Sequence, residues 1–373
     1  MKIESIELRQ IRLPLVSPFA TSFGVETDRP CIIATVRGDG VVGYGECVAG
    51  DGPWYSYETI GGAWHVLRDY LVPRLLGADV SDPATVWDLF APIREHNMSK
   101  AVLEMACWDL VARARGLPLA RLLGGERDRV AVGVSVGIQA SPDALVDLVG
   151  RYRADGYGRV KLKIAPGQDY SYVAAVRAAY PDALLQVDAN SAYTLADVEI
   201  FRRMDGLDLL LIEQPLGPDD IVDHAALQRE LRTPLCLDES IHAPDDARHA
   251  LDLGSCRIIN IKPGRVGGHR RGRDIHDLCR RRGAPVWCGG MLETNIGRAH
   301  NVALASLPGF TLPGDISASA RYYARDVAGP DFVLNDDSTL SVPDRPGIGV
   351  EPDPAALAAA TERQEMFAAT ISA

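Results

Sequence analysis

No run in the 373-residue chain approaches the roughly 20 consecutive apolar residues of a membrane span, so no membrane role is expected. The opening residues, Met1-Lys2-Ile3-Glu4-Ser5, lack the apolar stretch of a secretory signal, and the expected location is cytoplasmic. Cysteine is scarce and scattered. The seven, Cys31, Cys47, Cys107, Cys236, Cys256, Cys279 and Cys288, form no Cys-x-x-Cys pair. They read as free thiols in a reducing compartment, and argue against a disulfide framework or a structural zinc site. Positive charge is in deficit: the formal net charge is −11, a poor match to nucleic acid or an anionic membrane. A small anionic substrate stays open, because a local cationic site or a metal overrides the average. No low-complexity linker divides the chain.

What is present fits two domains. Apolar residues make up 47% and charged residues 24%, enough at this length to bury more than one core. Lys2 to Leu15 alternates polar and apolar residues. Cys31–Arg37 and Val41–Glu46 flank the turn signal Gly38-Asp39-Gly40. Helices are predicted over Tyr57–Leu75, Pro83–Glu95 and Ser99–Arg115, the last with a stripe of Val102, Met105, Ala106, Leu110 and Val111. Residues 1–125 thus read as an α+β unit. From 126 to 320 short apolar runs alternate with amphipathic stretches. Strands are expected at Val130–Val136, Arg159–Ile164, Leu184–Val187, Leu209–Ile212, Leu235–Leu237, Arg257–Ile261 and Pro285–Cys288. Helices such as Pro142–Ala154, Thr194–Met204 and Gly268–Arg282 lie between them. Seven or eight βα units predict an α/β fold, a (β/α)7-8 TIM-like barrel. An open doubly wound sheet would need a Gly-rich phosphate turn after its first strand, and Gly133-Val134-Ser135-Val136-Gly137 sits inside a strand pattern. Residues 321–373, with a helix expected over Pro354–Met366, are predicted to pack back on the N-terminal unit and complete a capping domain.

The strand ends carry the chemistry. Lys163, Asp188, Glu213, Asp238 and Lys262 each close a strand, at steps of 25, 25, 25 and 24. Strand C-termini of a barrel converge on one face, the face where barrel active sites lie. Singly, a strand-end Asp is a helix cap and a Lys-x-Lys a solvated edge; five ionisable residues at one place in successive units are not explained that way. Three clustered carboxylates repel unless a divalent cation joins them, and all-oxygen ligands select Mg²⁺ or Mn²⁺. No histidine ends a strand, which counts against zinc. Lys161 and Lys163 share one side of their strand, and adjacent ammonium groups lower each other's pKa toward that of a base. Lys262 comes from the other side of the mouth. A cation between two lysines suits removal of a proton next to a carboxylate: the cation stabilises the enediolate and a base waits on each face. The stretch Gly264-Arg265-Val266-Gly267-Gly268-His269-Arg270-Arg271 also looks like a patch that binds phosphate or another anion, such as nucleic acid, although a glycine turn into a solvated basic helix accounts for its distal arginines. Arg265 lies near the site, placed to depress the pKa of Lys262 or orient the substrate.

With these residues in view, the chain resembles the muconate-lactonizing branch of the enolase superfamily, and within it the o-succinylbenzoate synthase / N-succinylamino acid (N-acylamino acid) racemase subfamily. The likeness runs nearly end to end. It includes Ser17-Pro18-Phe19, Gly43-Tyr44-Gly45-Glu46-Cys47, Asp188-Ala189-Asn190, Ile212-Glu213-Gln214-Pro215, Leu237-Asp238-Glu239-Ser240, Ile261-Lys262-Pro263-Gly264-Arg265 and Leu312-Pro313-Gly314-Asp315-Ile316-Ser317. The resemblance implies Mg²⁺, with Mn²⁺ or Co²⁺ able to substitute, on Asp188, Glu213 and Asp238, and Lys163 and Lys262 as the acid/base pair. It implies Lys161 and Asn190 at the substrate carboxylate, and Glu239 behind the metal ligands. Phe19, Phe23 and Tyr55 would cover the mouth; Ser135, Met291 and Leu292 would line it; Arg265 follows the racemase-bearing branch. The reactions implied are dehydration to o-succinylbenzoate on the menaquinone route, racemisation of N-acylamino acids, or both, on a small-molecule carboxylate, in a homo-oligomer. Dipeptide epimerase is the nearest alternative, but its Asp-x-Asp is Asp315-Ile316-Ser317 here. Muconate cycloisomerase differs only in pocket residues. A metal- or phosphate-binding protein without turnover is the non-enzymatic alternative, which intact Lys163 and Lys262 oppose. One position departs from the pattern: Asn295 replaces a glycine. Because Asn tolerates left-handed backbone, it is expected to alter substrate preference more than stability.

Overall fold

The alternating N-terminal residues pair as an antiparallel meander of β1 (Ser5–Thr21), β2 (Gly24–Gly38) and β3 (Val41–Cys47) in a computed structural model that describes residues 1–369. Asp39 and Gly40 make the β2–β3 turn with φ of 50° and 76°, the doubly left-handed turn that matches strand twist. The helix Asn97–Ala114 packs across this sheet. Gly43 and Gly45 make that possible: a Cβ on Gly43 would lie 2.2 Å from the Ala106 carbonyl oxygen, and on Gly45 2.0 Å from that of Val102. The apolar stripe expected on this helix gives way to burial on every face from Asn97 to Ala112, because the helix is sandwiched between sheet and barrel.

Three other expectations change. The Tyr57–Leu75 helix is Ile60–Val66, a widened turn over Leu67–Leu71 and a last turn Val72–Leu75; Pro73 has no N–H to offer, and the widening accommodates it. The Pro83–Glu95 helix ends at Phe90, because Pro92 has no N–H with which to continue the helical hydrogen bonds. The helix expected over Pro354–Met366 is only Pro354–Ala360. Thr361–Ala368 pairs with β1 as a fourth, edge strand. The Ala run favours helix, but the open edge of β1 captures the residues after it. The middle of the C-terminal segment stays on the barrel, where Thr339–Ser341 pairs with Arg129–Ala131.

Seven parallel strands follow in chain order: Val134–Val136, Arg159–Lys163, Leu184–Asp188, Ile212–Glu213, Leu235–Leu237, Ile258–Ile261 and Val286–Cys288. The expected strand Val130–Val136 is split at Val132-Gly133. The Leu209–Ile212 run contributes little regular strand, since Asp208 turns into left-handed backbone. An irregular segment closes the ring. Leu312 N bonds Val286 O at 3.4 Å and Asp315 N bonds Cys288 O at 2.9 Å on one side; Gly314 N bonds Ala131 O at 3.0 Å on the other. Pro313 and Gly314 explain why this eighth unit does not read as a strand. Val160 and Leu162 face the helices, while Leu211, Cys236, Ile258 and Trp287 plug the barrel interior.

Buried carboxylates of the N-terminal unit cap barrel helices. Glu104 accepts from His269 N (2.8 Å), Arg270 N (2.9 Å) and Trp108 Nε1 (2.7 Å) at the start of His269–Arg282. Glu46 accepts from Thr294 N (3.1 Å), Thr294 Oγ1 (2.6 Å) and Gly297 N (2.9 Å) at the start of Asn295–Ala305. The anion-binding turn suggested by residues 264–271 is therefore filled from within, by Glu104. Burial pushes the Glu104 carboxyl from 4.5 up to about 7, against the pull of these donors. The folded chain then keeps a proton that the unfolded chain has lost, so this group's contribution is full below pH 4.5 and declines as pH rises through about 7. Denaturant midpoints at pH 5 and pH 8 should show the wild type losing more stability across that interval than Glu104→Gln. Equal losses would show that Glu104 does not hold the proton.

Candidate active site

Strand register brings the ionisable residues together. Lys163 pairs with Asp188, and Asp188 with Glu213, at one level of the barrel. Inward residues of one strand stack in three steps, Arg159, Lys161 and Lys163, as a two-residue period requires. Lys163 Nζ donates to Asp188 Oδ2 at 2.7 Å and to Asn190 Oδ1 at 2.6 Å. Lys161 Nζ lies 3.0 Å from both Asp188 Oδ2 and Glu213 Oε2, and 2.5 Å from Asp315 Oδ2. On the far side Lys262 Nζ donates to Asp238 Oδ2 at 2.7 Å and to Tyr55 OH at 3.0 Å, and Tyr55 OH reaches Asp238 Oδ1 at 3.0 Å.

The three strand-end carboxylates each face a cation of the protein, and among the described residues no three His, Cys, Asp or Glu side chains stand as a ready-made ligand set. Their chemistry nonetheless fits a hard divalent ion. All donors are oxygens, and Glu213 is held well above the usual carboxylate range by burial and by the charges of Asp188 and Asp238, a repulsion a cation relieves. Glu239 is pushed up to about 8 by burial and the same two neighbours; Oε1 accepts from Asn190 Nδ2 at 2.9 Å and Oε2 has no partner.

The lysines differ from the expected lowering of pKa. Burial favours the neutral amine of Lys161, but Asp315, Glu213 and Asp188 outweigh it and hold the ammonium well above its ordinary range. Lys262 behaves alike, with Asp238 opposing burial. Carboxylates within 3 Å matter more than a neighbouring lysine.

A cavity of about 250 Å³ opens over this cluster. Lys161, Lys163, Asn190 and Lys262 line it, with Ser135, Phe19, Phe23, Tyr55, Met291 and Leu292. Ser135 Oγ is buried without a partner, available to a ligand. The β1–β2 hairpin reaches the barrel through Ile138 N to Ala20 O at 2.9 Å. Asp188, Glu213, Asp238 and Glu239 lie beneath the lining. So does Arg265, which corrects its placement at the substrate: its guanidinium is spent on Asp238, on Ile241 O (2.7 Å) and on Asn260 O (2.6 Å). The sequence offered Asp315 only as half of an incomplete Asp-x-Asp, and gave Arg159 and Asn260 no place in the site. Asp315 ends the closing segment and lines the cavity; Asn260 Nδ2 donates to Glu213 Oε1 at 2.7 Å. The available signal was Asp315's place one residue beyond a Pro-Gly break, but the 25-residue spacing stops at Lys262.

A closed ring of parallel strands with titratable side chains gathered at their C-terminal ends defines a (β/α)-barrel enzyme. Residues 5–124 match the N-terminal domain family of mandelate racemase / muconate lactonizing enzyme, and residues 144–356 match the enolase C-terminal domain-like family. The chain belongs to this mandelate racemase / muconate lactonizing enzyme family of the enolase superfamily. It is 50% identical to an o-succinylbenzoate synthase of Geobacillus kaustophilus, over 100% of both chains. It is 51% identical to an N-succinylamino acid racemase of Amycolatopsis sp, over 95% of this chain and 96% of that one. A crystal structure of an enolase superfamily member from Listeria innocua superposes with a TM-score of 0.95 at 41% identity, covering 99% of each chain.

Asn295 does not face the cavity, which overturns its expected effect on substrate preference. It begins the helix Asn295–Ala305 in helical backbone, and its Nδ2 donates to Ala328 O and Asp331 Oδ1, each at 2.8 Å, while Ser319 Oγ donates to its Oδ1 at 2.5 Å. Its side chain ties the C-terminal segment to the barrel. Asn295→Gly should cost about 1–3 kcal/mol of stability through the buried groups it strands. Relative rates among substrates should hold; a shifted preference at unchanged stability would return the residue to the pocket.

Proposed function

We propose that this enzyme removes the proton next to a substrate carboxylate, in dehydration to o-succinylbenzoate and in racemisation of N-succinylamino acids. The observation that carries the reading is the placement of Lys163 and Lys262 at one cavity, on strands separated by those ending at Asp188, Glu213 and near Asp238. A group between them meets an amine from either side. Relatives named for each reaction are about half identical to the chain along nearly its whole length.

A divalent cation on Asp188, Glu213 and Asp238 would supply positive charge to the substrate carboxylate as the α-proton leaves. Lys161 and Asn190 orient that carboxylate. Once Asp238 no longer neutralises Lys262, burial favours its free amine and suits it to accept a proton. In racemisation one lysine takes the proton and the other returns it to the opposite face. In dehydration one base suffices, and the second lysine stays as a cation beside the developing negative charge. The dipeptide epimerase reading lacks support at Asp315, whose oxygens are engaged by Arg159 (2.6 Å) and Lys161 (2.5 Å), leaving no free carboxylate for a substrate ammonium.

Exhaustive removal of divalent metal should abolish turnover, and Mg²⁺, Mn²⁺ or Co²⁺ should restore it; full activity in stripped enzyme would refute the carboxylate assignment. Lys163→Ala and Lys262→Ala should each lower racemisation of N-succinylamino acids by roughly 10²- to 10⁴-fold. Each variant should still exchange the α-proton of one enantiomer with solvent deuterium, with opposite preferences in the two. Near wild-type racemisation in either folded variant would mean that another group serves that face.

A further inference from the structure

Lysine is rare in this chain. There are five, Lys2, Lys100, Lys161, Lys163 and Lys262, and three of them stand at the barrel mouth. Lys161 is the member of that trio with no part in proton transfer, and carboxylates surround it. Asp315 is the closest of them, at 2.5 Å. Asp188 and Glu213 are committed to a cation under the function proposed above, which leaves Asp315 to keep Lys161 in place. Asp315 is buried, lines the cavity and ends the closing segment. Its other oxygen accepts from Arg159 Nη1 at 2.6 Å; the fully buried guanidinium also holds Pro313 O at 3.0 Å. Glycines make room for the pair. A Cβ on Gly290 would lie 2.4 Å from the Asp315 carbonyl oxygen, and one on Gly133 2.5 Å from the Arg159 guanidinium. The Trp287 ring lies 5.0 Å from Lys161 Nζ and 5.7 Å from Arg159 Cζ.

Charge decides what this arrangement does. A lone carboxylate beside Lys161 would repel an incoming anionic substrate. Arg159 cancels that charge, so Lys161 is anchored yet still presents net positive charge to the cavity. We propose that Asp315, braced by Arg159, is a positioning residue that fixes the Lys161 ammonium where the substrate carboxylate docks. The role given to Lys161 rests on the proposed function; its anchoring by Asp315 does not.

The test uses metal-loaded full-length enzyme labelled with ¹⁵N at lysine Nζ, with the Lys161 ammonium signal assigned by its loss in Lys161→Arg. Asp315→Asn should reduce kcat/KM for N-succinylamino acids about 10²-fold, the effect of a misplacement near 1 Å. KM should rise and kcat fall, and the Lys161 signal should broaden or move while that of Lys100 stays. Arg159→Lys, which keeps the charge but releases Pro313, should show the same changes to a smaller degree and serves if Asp315→Asn does not fold. A lowered melting temperature with kcat, KM and the Lys161 signal unchanged would make Asp315 merely structural and overturn the proposal. Wild-type enzyme that neither dehydrates nor exchanges α-protons would refute the proposed function instead, and the Lys161 signal would then judge the anchoring by itself.

Discussion

Lys161 stands among Asp188, Glu213 and Asp315 away from water, and the end of the barrel is arranged around that concentration of charge. The cations Arg159, Lys161, Lys163, Lys262 and Arg265 outnumber the carboxylates Asp188, Glu213, Asp238 and Asp315 by one. Glu239, pushed up to about 8, adds little negative charge at neutral pH. Buried ion pairs of this density are a poor source of stability, because desolvation offsets their attraction. Such a cluster persists where function requires it. Its excess of positive charge suits an anionic substrate in a chain whose overall charge is −11.

The N-terminal unit has to sit accurately over that cluster, since Phe19, Phe23 and Tyr55 close the cavity from it. Its registration depends on the same kind of interaction, a carboxylate out of water. Glu46 and Glu104 cross the interface to cap barrel helices, and Glu58 caps Asn97–Ala114 through Met98 N at 2.6 Å and Ser99 N at 3.0 Å. Each satisfies helix-start N–H groups that burial would otherwise leave unpaired. Gly43 and Gly45 bring β3 close enough to that helix for Glu46 to reach across.

Much of this was legible in the sequence because period and spacing carry it. The 25-residue recurrence from Lys163 to Lys262 identified the strand ends, and β2–β3 was readable from Gly38-Asp39-Gly40. What escaped depends on contacts distant in sequence. Thr361–Ala368 follows an Ala run that favours helix, and only the free edge of β1 makes it a strand. Asp315 follows Pro313-Gly314, a break that erases the strand pattern from the segment closing the ring. Asn295 stands out in the sequence only as a departure in the motif, an Asn in place of a glycine, which does not tell where the side chain points; helical rotation turns it toward residues 328 and 331. Arg265 is close to Lys262 in sequence and behind Asp238 in space.

The division of labour among the cations follows from their chemistry. The chain has 39 Lys and Arg together, of which five are lysines and 34 arginines. Beneath the cavity Arg159 and Arg265 hold a carboxylate with one arm and backbone carbonyls with the others, Pro313 O for the first and Ile241 O and Asn260 O for the second. A planar guanidinium that never loses its charge is suited to that work, because its forked donors fix direction. The lysines at the mouth make no bond to a backbone carbonyl; each points at carboxylates, a phenol or an amide that a bound cation or substrate can replace. A compact ammonium on a flexible stem can exchange such partners and can release a proton when its counter-ion is withdrawn. The arginines therefore build a frame that does not titrate, and the lysines placed within it are the groups free to react.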